Sequence, residues 1–335
     1  MMSNFLKIFV FSFFFIFSPC CQLRAQNDVE FVWGVNGHPL TQQEYKYKTL
    51  DNQIQWLKDL GVNYYRIDVP INSEGKARND TYFLELLAKL KASGIKPMLA
   101  LFPSGVDRSA QDSISIYNQY FALGEKFINR YGSDVDVLEV GNEWDLKLMK
   151  KNAKNDGTKA SHYQTQLIGK QMWMLAGIVD GMKNIKPTLK VSMSLTWVHW
   201  YYLDILKRYR IKYDIIGYHW YSNMGDITKT AAPYGNFLPK IADRYKKEIW
   251  ITEFNTHRGS KNISFVKQND YLKNSLQRIV DQKVVRGFFI YELLDQPNLK
   301  MYPDEMSYGL IYLDAGEYKK KPIYFTFKEF INTHK

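Results

Sequence analysis

Two glutamates stand where apolar runs stop. Val135–Val140 leads into Gly141-Asn142-Glu143-Trp144, and Ile249–Thr252 leads into Glu253-Phe254-Asn255. A carboxylate at the end of an otherwise buried run needs a reason to be there, either a structural ion pair or chemistry. Two carboxylates that face one another suit hydrolysis of a glycosidic bond. One, protonated, gives its proton to the leaving oxygen; the other, ionised, attacks the anomeric carbon. Different surroundings can hold two carboxyl groups in opposite protonation states. Retaining enzymes keep such a pair about 5–5.5 Å apart and inverting enzymes about 6.5–9.5 Å, a separation that a sequence does not state.

The elements that must position this pair alternate along the chain. Eight short runs read as strands: Phe31–Val35, Tyr64–Asp68, Pro97–Phe102, Val135–Val140, Lys190–Leu195, Ile215–Tyr218, Ile249–Thr252 and Gly287–Tyr291. Between them lie stretches with apolar residues at helical spacing, such as Ile54, Leu57 and Leu60, or Leu84, Leu87 and Leu90. The spacing predicts helices over Asp51–Leu60, Tyr82–Lys91, Ile114–Tyr131, Tyr163–Met182, Leu203–Tyr209, Phe237–Tyr245, Tyr271–Val280 and Tyr324–Ile331. Gly61 and Gly94 stand where two of these helices must end before the next strand. The expected fold class is therefore α/β, a (β/α)8 TIM barrel in a single domain over residues 26–335, with functional groups at the C-terminal ends of the strands. An open doubly wound sheet would carry a G-x-G-x-x-G turn after its first strand. Trp33-Gly34-Val35-Asn36-Gly37-His38 has two glycines and no such motif.

Composition narrows the classes further. Of the 335 residues, 45% are hydrophobic and 16% aromatic, with 24 Tyr and 8 Trp. Aromatic faces stack on sugar rings, although packing accounts for most of them. Lys7, the apolar run Ile8–Phe17 and Ala25 before Gln26 read as a secretory signal peptide over 1–25, which implies a secreted or periplasmic protein. Lipid attachment at Cys20 or Cys21 ranks second. Both cysteines lie in that segment, so the rest of the chain has no thiol chemistry. The net charge of +11 falls to +9 without Lys7 and Arg24, and a basic surface could favour an acidic polymer. The run Lys319-Lys320-Lys321 follows a turn at Asp314–Tyr318 and reads as solvated surface. Gly225–Phe237 reads as a loop after the sixth strand. No nucleic-acid motif and no later membrane span is found. The histidines His38, His162, His199, His219, His257 and His334 make no metal-ligand spacing, so neither a metal nor a cofactor is expected.

Taken together, the mature chain resembles glycoside hydrolase clan A, the retaining (β/α)8-barrel glycosidases. Asn142-Glu143 is similar to the Asn-Glu pair at strand four, Glu253 in Trp250-Ile251-Thr252-Glu253 to the nucleophile at strand seven, Arg66 to an arginine at strand two, and His219-Trp220-Tyr221 to a His-x-Tyr element of the cellulase-like family 5. The resemblance spans residues 30–333. It implies Glu143 as acid/base, Glu253 as nucleophile, Asn142 as a donor to the sugar 2-hydroxyl, Arg66 and Tyr221 as donors that hold Glu253 ionised, and His219 as a group lining the site near Glu143. One departure stands out. Family 5 members commonly carry a Trp at the end of strand eight, where this chain has Tyr291-Glu292, so the xylosidase-like family 39 and neighbouring bacterial families are equal alternatives. Glu292 is expected either to contact a sugar hydroxyl or to pair with a Lys or Arg. His38, Phe102, Trp197 and Trp200 follow other strands; each is a substrate-binding candidate, with Trp197 or Trp200 as a sugar platform, and each is also readable as packing. The expected function is retaining hydrolysis of a β-linked glycan or oligosaccharide, with a catalytically inactive carbohydrate-binding barrel or a transglycosylase as alternatives. Carbohydrate is the expected partner.

Overall fold

Segments rich in Val, Ile, Leu and aromatic residues can be buried on both faces only in a parallel sheet covered by helices. The structure, a computed structural model, describes residues 30–46, 50–104, 106, 112–152 and 154–334. The segment 1–25 read as a signal peptide, with Cys20 and Cys21, lies outside them. Eight parallel strands close into a barrel: β1 (Val32–Gly37), β2 (Tyr64–Ile71), β3 (Lys96–Pro103), β4 (Val137–Val140), β5 (Lys190–Thr196), β6 (Ile215–Tyr221), β7 (Glu248–Asn255) and β8 (Val285–Ile290). β8 pairs back onto β1, Gly287 opposite Val32. All eight expected strands exist. The main differences are that β2, β6 and β7 each run three residues further, so that Asp68, His219, Tyr221 and Glu253 lie within strands rather than at or after their ends. The helix expected from Tyr271 begins at Phe265, where the Ser264 hydroxyl accepts from the Lys267 backbone N–H and caps it.

The barrel interior is filled in layers, as closure of eight strands requires. Tyr64, Met98, Val137, Ile215, Trp250 and Phe289 form an apolar plug separate from the outer core. Phe289 reaches across to β1, where any Cβ on Gly34 would lie 2.1 Å from its ring. Two residues further along the strands the interior turns polar, with Arg66, Glu139, Ser192 and Thr252 all buried. The site stands on this layer. Outside the barrel, the helices Ser113–Tyr131 and Thr165–Ile185 meet through Gly124, Gly177 and Gly181; a Cβ on Gly181 would lie 2.0 Å from the Phe121 carbonyl oxygen.

The register of β7 has one irregularity that matters for function. Ile251 pairs with Tyr218, but Glu253 pairs with His219, so Thr252 has no counterpart on β6. On the other side, Ile251 pairs with Phe288 and Phe254 with Ile290, again with one residue too many on β7. Strand side chains alternate between faces, and an extra residue resets that alternation. Trp250 and Thr252 face the interior; Phe254 faces outward and stacks on Tyr271 of the covering helix. The bulge therefore turns Glu253 inward, where a regular strand would point it at the helices.

A two-stranded ribbon follows the barrel, β9 (Ile311–Asp314) and β10 (Glu317–Lys320), antiparallel about Ala315 and Gly316, both at positive φ. The turn expected at Asp314–Tyr318 narrows to the hairpin loop Ala315-Gly316, its flanking residues lying in the two strands. The reading of Lys319-Lys320-Lys321 as solvated needs correction. The Lys321 side chain is fully buried, and its Nζ donates to Asp295 Oδ1 at 2.7 Å, to Ser260 Oγ and to the Ser307 carbonyl. Lys319 and Lys320 pair with Asp314 and Asp59. Among the described residues no helix is long and apolar enough to cross a membrane.

Candidate active site

Arg66 organises the mouth of the barrel. Its Nη1 donates to Glu253 Oε1 at 2.9 Å and to Asn36 Oδ1 at 3.1 Å; its Nη2 donates to Glu139 Oε1 at 2.5 Å and to Asn142 Oδ1 at 2.8 Å. Burial opposes its charge, but Glu139 and Glu253 outweigh burial and keep the guanidinium protonated. The planar fork presents one Nη to each of the two buried carboxylates, a fixed geometry that a lysine ammonium does not offer. Because Asn142 Oδ1 is engaged by Arg66, its amide N–H groups are left to donate to a ligand.

Glu253, 9% exposed, receives a second donor, the Tyr221 hydroxyl on Oε2 at 2.6 Å. Burial, then the neighbouring Glu253 charge, push the Tyr221 hydroxyl well above its ordinary pKa, so it remains a donor. Glu143 has different surroundings. It sits in the left-handed conformation at φ 49°, in the turn opened by Gly141 at φ 77°, and its side chain is 29% exposed. That backbone region is strained for a residue with a Cβ. Its backbone N–H donates to Ser194 Oγ, and its Oε1 accepts from the Thr196 hydroxyl at 3.2 Å. Asp145, two residues on, holds Thr196 through its backbone N–H at 2.9 Å and His199 Nδ1 at 2.6 Å.

His219 links the two glutamates. Its Nδ1 lies 2.9 Å from Glu143 Oε1 and 3.4 Å from Glu253 Oε2. Burial works against protonating His219, but Glu253 and the hydrogen bond to Glu143 outweigh it and raise its pKa. One atom each of Glu143, His219 and Glu253 lie within 4.8 Å of one another. Among the described residues these three form the one cluster that could ligate a metal ion, and the Arg66 guanidinium already supplies positive charge beside them.

A cavity of 80 Å³ opens against this arrangement, lined by Asn36, Arg66, Asn142 and Glu253 and, further out, by His38, Asp68, Phe102 and Tyr291. The structure thus brings together Glu143, Glu253, Arg66, Asn142, His219, Tyr221, His38 and Phe102. Three expected site residues lie elsewhere. Trp200 packs its ring against Tyr234 and Phe237. Trp197, at φ 50°, packs on Tyr234 and His199 and does not line the cavity. Glu292 is the clearest correction. It is fully buried, so it meets no sugar, and among the described residues its ion-pair partner is His38 rather than a Lys or Arg. It accepts from the Tyr45 hydroxyl at 2.7 Å and from Gln296 Nε2, behind His38. Tyr291, not Glu292, faces the cavity at the end of β8.

Sequence reasoning missed Asp68 and Glu139. Asp68 ended its expected strand as a carboxylate, the same signal that singled out Glu143 and Glu253. Glu139 sits inside β4, where a strand buried on both faces should have no charge.

The groups behind the cavity carry a pH dependence. Burial disfavours a charged His38, but Asp68, and Glu292 once it is ionised, prevail and lift its pKa from 6.5 to about 9. Burial lifts Glu292 from 4.5 to about 8. His38 therefore contributes stability that is present in full below pH 6.5 and is lost as pH rises through about 9. Glu292 keeps its proton in the fold where the unfolded chain releases it, so it also lowers stability as pH rises from 4.5 to about 8. The melting temperature is expected to fall between pH 6.5 and 9, and Glu292→Gln, which cannot ionise, to flatten that fall. Thermal melts across the range check this; an unchanged slope in the variant would contradict it.

Residues 138–307, just over half of the chain, match the family described as glycosyl hydrolase catalytic core. No curated protein matches the sequence. Similar solved structures include the β-glucosidase from Thermotoga maritima in complex with noeuromycin, at 14% identity and a TM-score of 0.67, covering 91% of this chain and 98% of that one. The family 1 β-glucosidase from Exiguobacterium antarcticum B7 aligns over the same shares at 14% identity and a TM-score of 0.63. At such identities the likeness is one of fold. The fold and the family agree with the clan A resemblance, although these structures are of family 1 rather than family 5 or family 39. Since the matched span runs from β4, with Glu143 just beyond it, past Glu253 to the loop after β8, the chain belongs to the glycosyl hydrolase catalytic core family and is a glycosidase.

Proposed function

We propose that this glycosidase cleaves a β-linked glycan or oligosaccharide with retention, by double displacement. The observation that carries the reading is the close approach of Glu143 and Glu253, whose nearest ligand-type oxygens lie within 4.8 Å of one another across His219. An approach inside that limit is compatible with the carboxyl spacing of about 5–5.5 Å found in retaining enzymes, in which one carboxylate attacks directly. Glu253 is the nucleophile: it is buried, and Arg66 and Tyr221 both donate to it, so its negative charge is stabilised. Glu143 is the acid/base: it is the more exposed of the two and can meet first the leaving oxygen and then water. Asn142, with its carbonyl held by Arg66, donates to the sugar 2-hydroxyl. The β-linkage draws support from the similar β-glucosidase structures. The segment 1–25 supports action outside the cytoplasm.

The test is the stereochemistry of the first product. Proton NMR of a fresh reaction on an aryl β-glycoside should show the β-hemiacetal before mutarotation. An α-hemiacetal as first product would move the enzyme to inversion and remove Glu253 as nucleophile.

A further inference from the structure

Asp68 takes no part in the double displacement, yet its carboxylate lines the same cavity as Glu253. It stands two residues beyond Arg66 on β2, so both side chains point into the barrel, with Asp68 nearer the mouth. His38 Nδ1 donates to Asp68 Oδ1 at 2.9 Å, and the Thr41 hydroxyl donates to Oδ2 at 2.5 Å. A carboxylate offers about four acceptor positions, so about one on each oxygen remains. The side chain is 17% exposed, open to the cavity rather than sealed.

The charge of Asp68 is fixed from behind. His38 lies between Asp68 and Glu292, with its Nε2 3.3 Å from Glu292 Oε2. Burial opposes ionisation of Asp68, but His38 and Thr41 outweigh it and hold the carboxyl below its usual range. A rigid, ionised acceptor pair therefore faces the space that a sugar ring fills when its anomeric carbon meets Glu253. The cations among the described residues lining that space, Arg66 and His38, are both already paired with carboxylates. Beyond Tyr291, whose hydroxyl bonds it, stands a further carboxyl, Glu305.

We propose that Asp68 is the glycone-recognition group: its carboxylate accepts hydrogen bonds from a vicinal pair of hydroxyls on the side of the sugar ring remote from the scissile bond, and its charge selects a neutral sugar and rejects a uronic acid. This rests on the reading of Glu253 and Glu143 given above. It also reverses the expectation drawn from net charge. The chain carries +11, but the cavity has no unengaged cation among its described lining residues to meet a uronate.

The experiment uses the full chain as wild type, Asp68→Asn and Asp68→Ala, with thermal melts to confirm folding. The probes are 4-methylumbelliferyl β-glycosides of glucose, galactose, mannose, xylose and glucuronic acid, together with singly deoxygenated forms of the best neutral substrate. Calorimetric titration with the corresponding methyl glycosides runs alongside. The glucuronide should be the poorest substrate. Asp68→Asn should lower kcat/KM on the best neutral glycoside by about 10–10²-fold, the worth of a hydrogen bond to a charged group. The deoxy analogue that wild type already handles poorly should lose no further activity in the variant. Activity of Asp68→Asn within twofold of wild type on every neutral glycoside, or an equal loss on the parent and every deoxy analogue, overturns the proposal while leaving the catalytic pair standing. Binding of methyl glycosides that Asp68→Asn abolishes, with no turnover by wild type, does the reverse. Neither binding nor turnover of any neutral probe overturns both.

Discussion

Glu253→Gln is expected to lower turnover by about 10⁴–10⁶-fold, the scale on which removal of a covalent nucleophile acts. The substitution keeps the volume of the side chain and an oxygen to accept from Arg66, its amide N–H can donate to the Tyr221 hydroxyl oxygen, and Arg66 retains its ion pair with Glu139. Folding should therefore survive, and the loss should fall on kcat. The stronger test is Glu253→Ala with external azide. Without the carboxylate, azide can enter from the face Glu253 occupied and displace the leaving group once. The glycosyl azide formed then has the anomeric configuration opposite to that of the substrate. An aryl glycoside with a good leaving group, assayed by NMR of the azide product, reads this directly. Activity of Glu253→Gln above about one per cent would remove Glu253 from the reaction, since the losses expected for a nucleophile are far larger.

What the sequence disclosed, and what it concealed, follows from the range of each signal. Glu143 is legible because a short apolar run stops at Gly141-Asn142, a turn that any reading of local pattern finds. Arg66, His219 and Tyr221 are legible once the strands are numbered, since alternate residues of one strand share a face. The inward aim of Glu253 is not legible. It depends on Thr252 being one residue too many against both β6 and β8, which neither neighbour discloses alone. Glu292 was misread because the strand was carried one residue too far, to Tyr291. β8 ends at Ile290, so Tyr291 turns toward the cavity and Glu292 behind it, where Gln296, four residues on, and Tyr45, from a distant part of the chain, donate to it. Lys321 failed the same way, since its partner Asp295 lies 26 positions earlier. Buried charges are set by partners remote in sequence, and local pattern reports only their cost.

The surroundings of the two glutamates imply that their substitutions fail differently, and Glu143→Ala is the variant that shows it. In the proposed mechanism Glu143 gives a proton to the leaving oxygen in the first step and takes one from water in the second. Removing a general acid costs about 10²–10⁴-fold where the leaving group needs protonation. An unactivated disaccharide should lose this much. A 2,4-dinitrophenyl glycoside leaves without a proton, so its first step should be nearly unaffected while its second, lacking the base, slows. The glycosyl-enzyme on Glu253 then accumulates. The expected record is a burst of dinitrophenol equal to the enzyme concentration, a lowered KM, and a mass increase of one glycosyl unit on intact protein. Azide needs no base to attack that ester, so it should restore turnover and give a glycosyl azide of the same configuration as the substrate, opposite to the product from Glu253→Ala. Thr196 and His219, which both contact Glu143 Oε1, keep their other partners Asp145 and Glu253, so the site should stay assembled. Equal losses on the disaccharide and the dinitrophenyl glycoside, with no burst, would mean that Glu143 shapes the pocket and moves no proton.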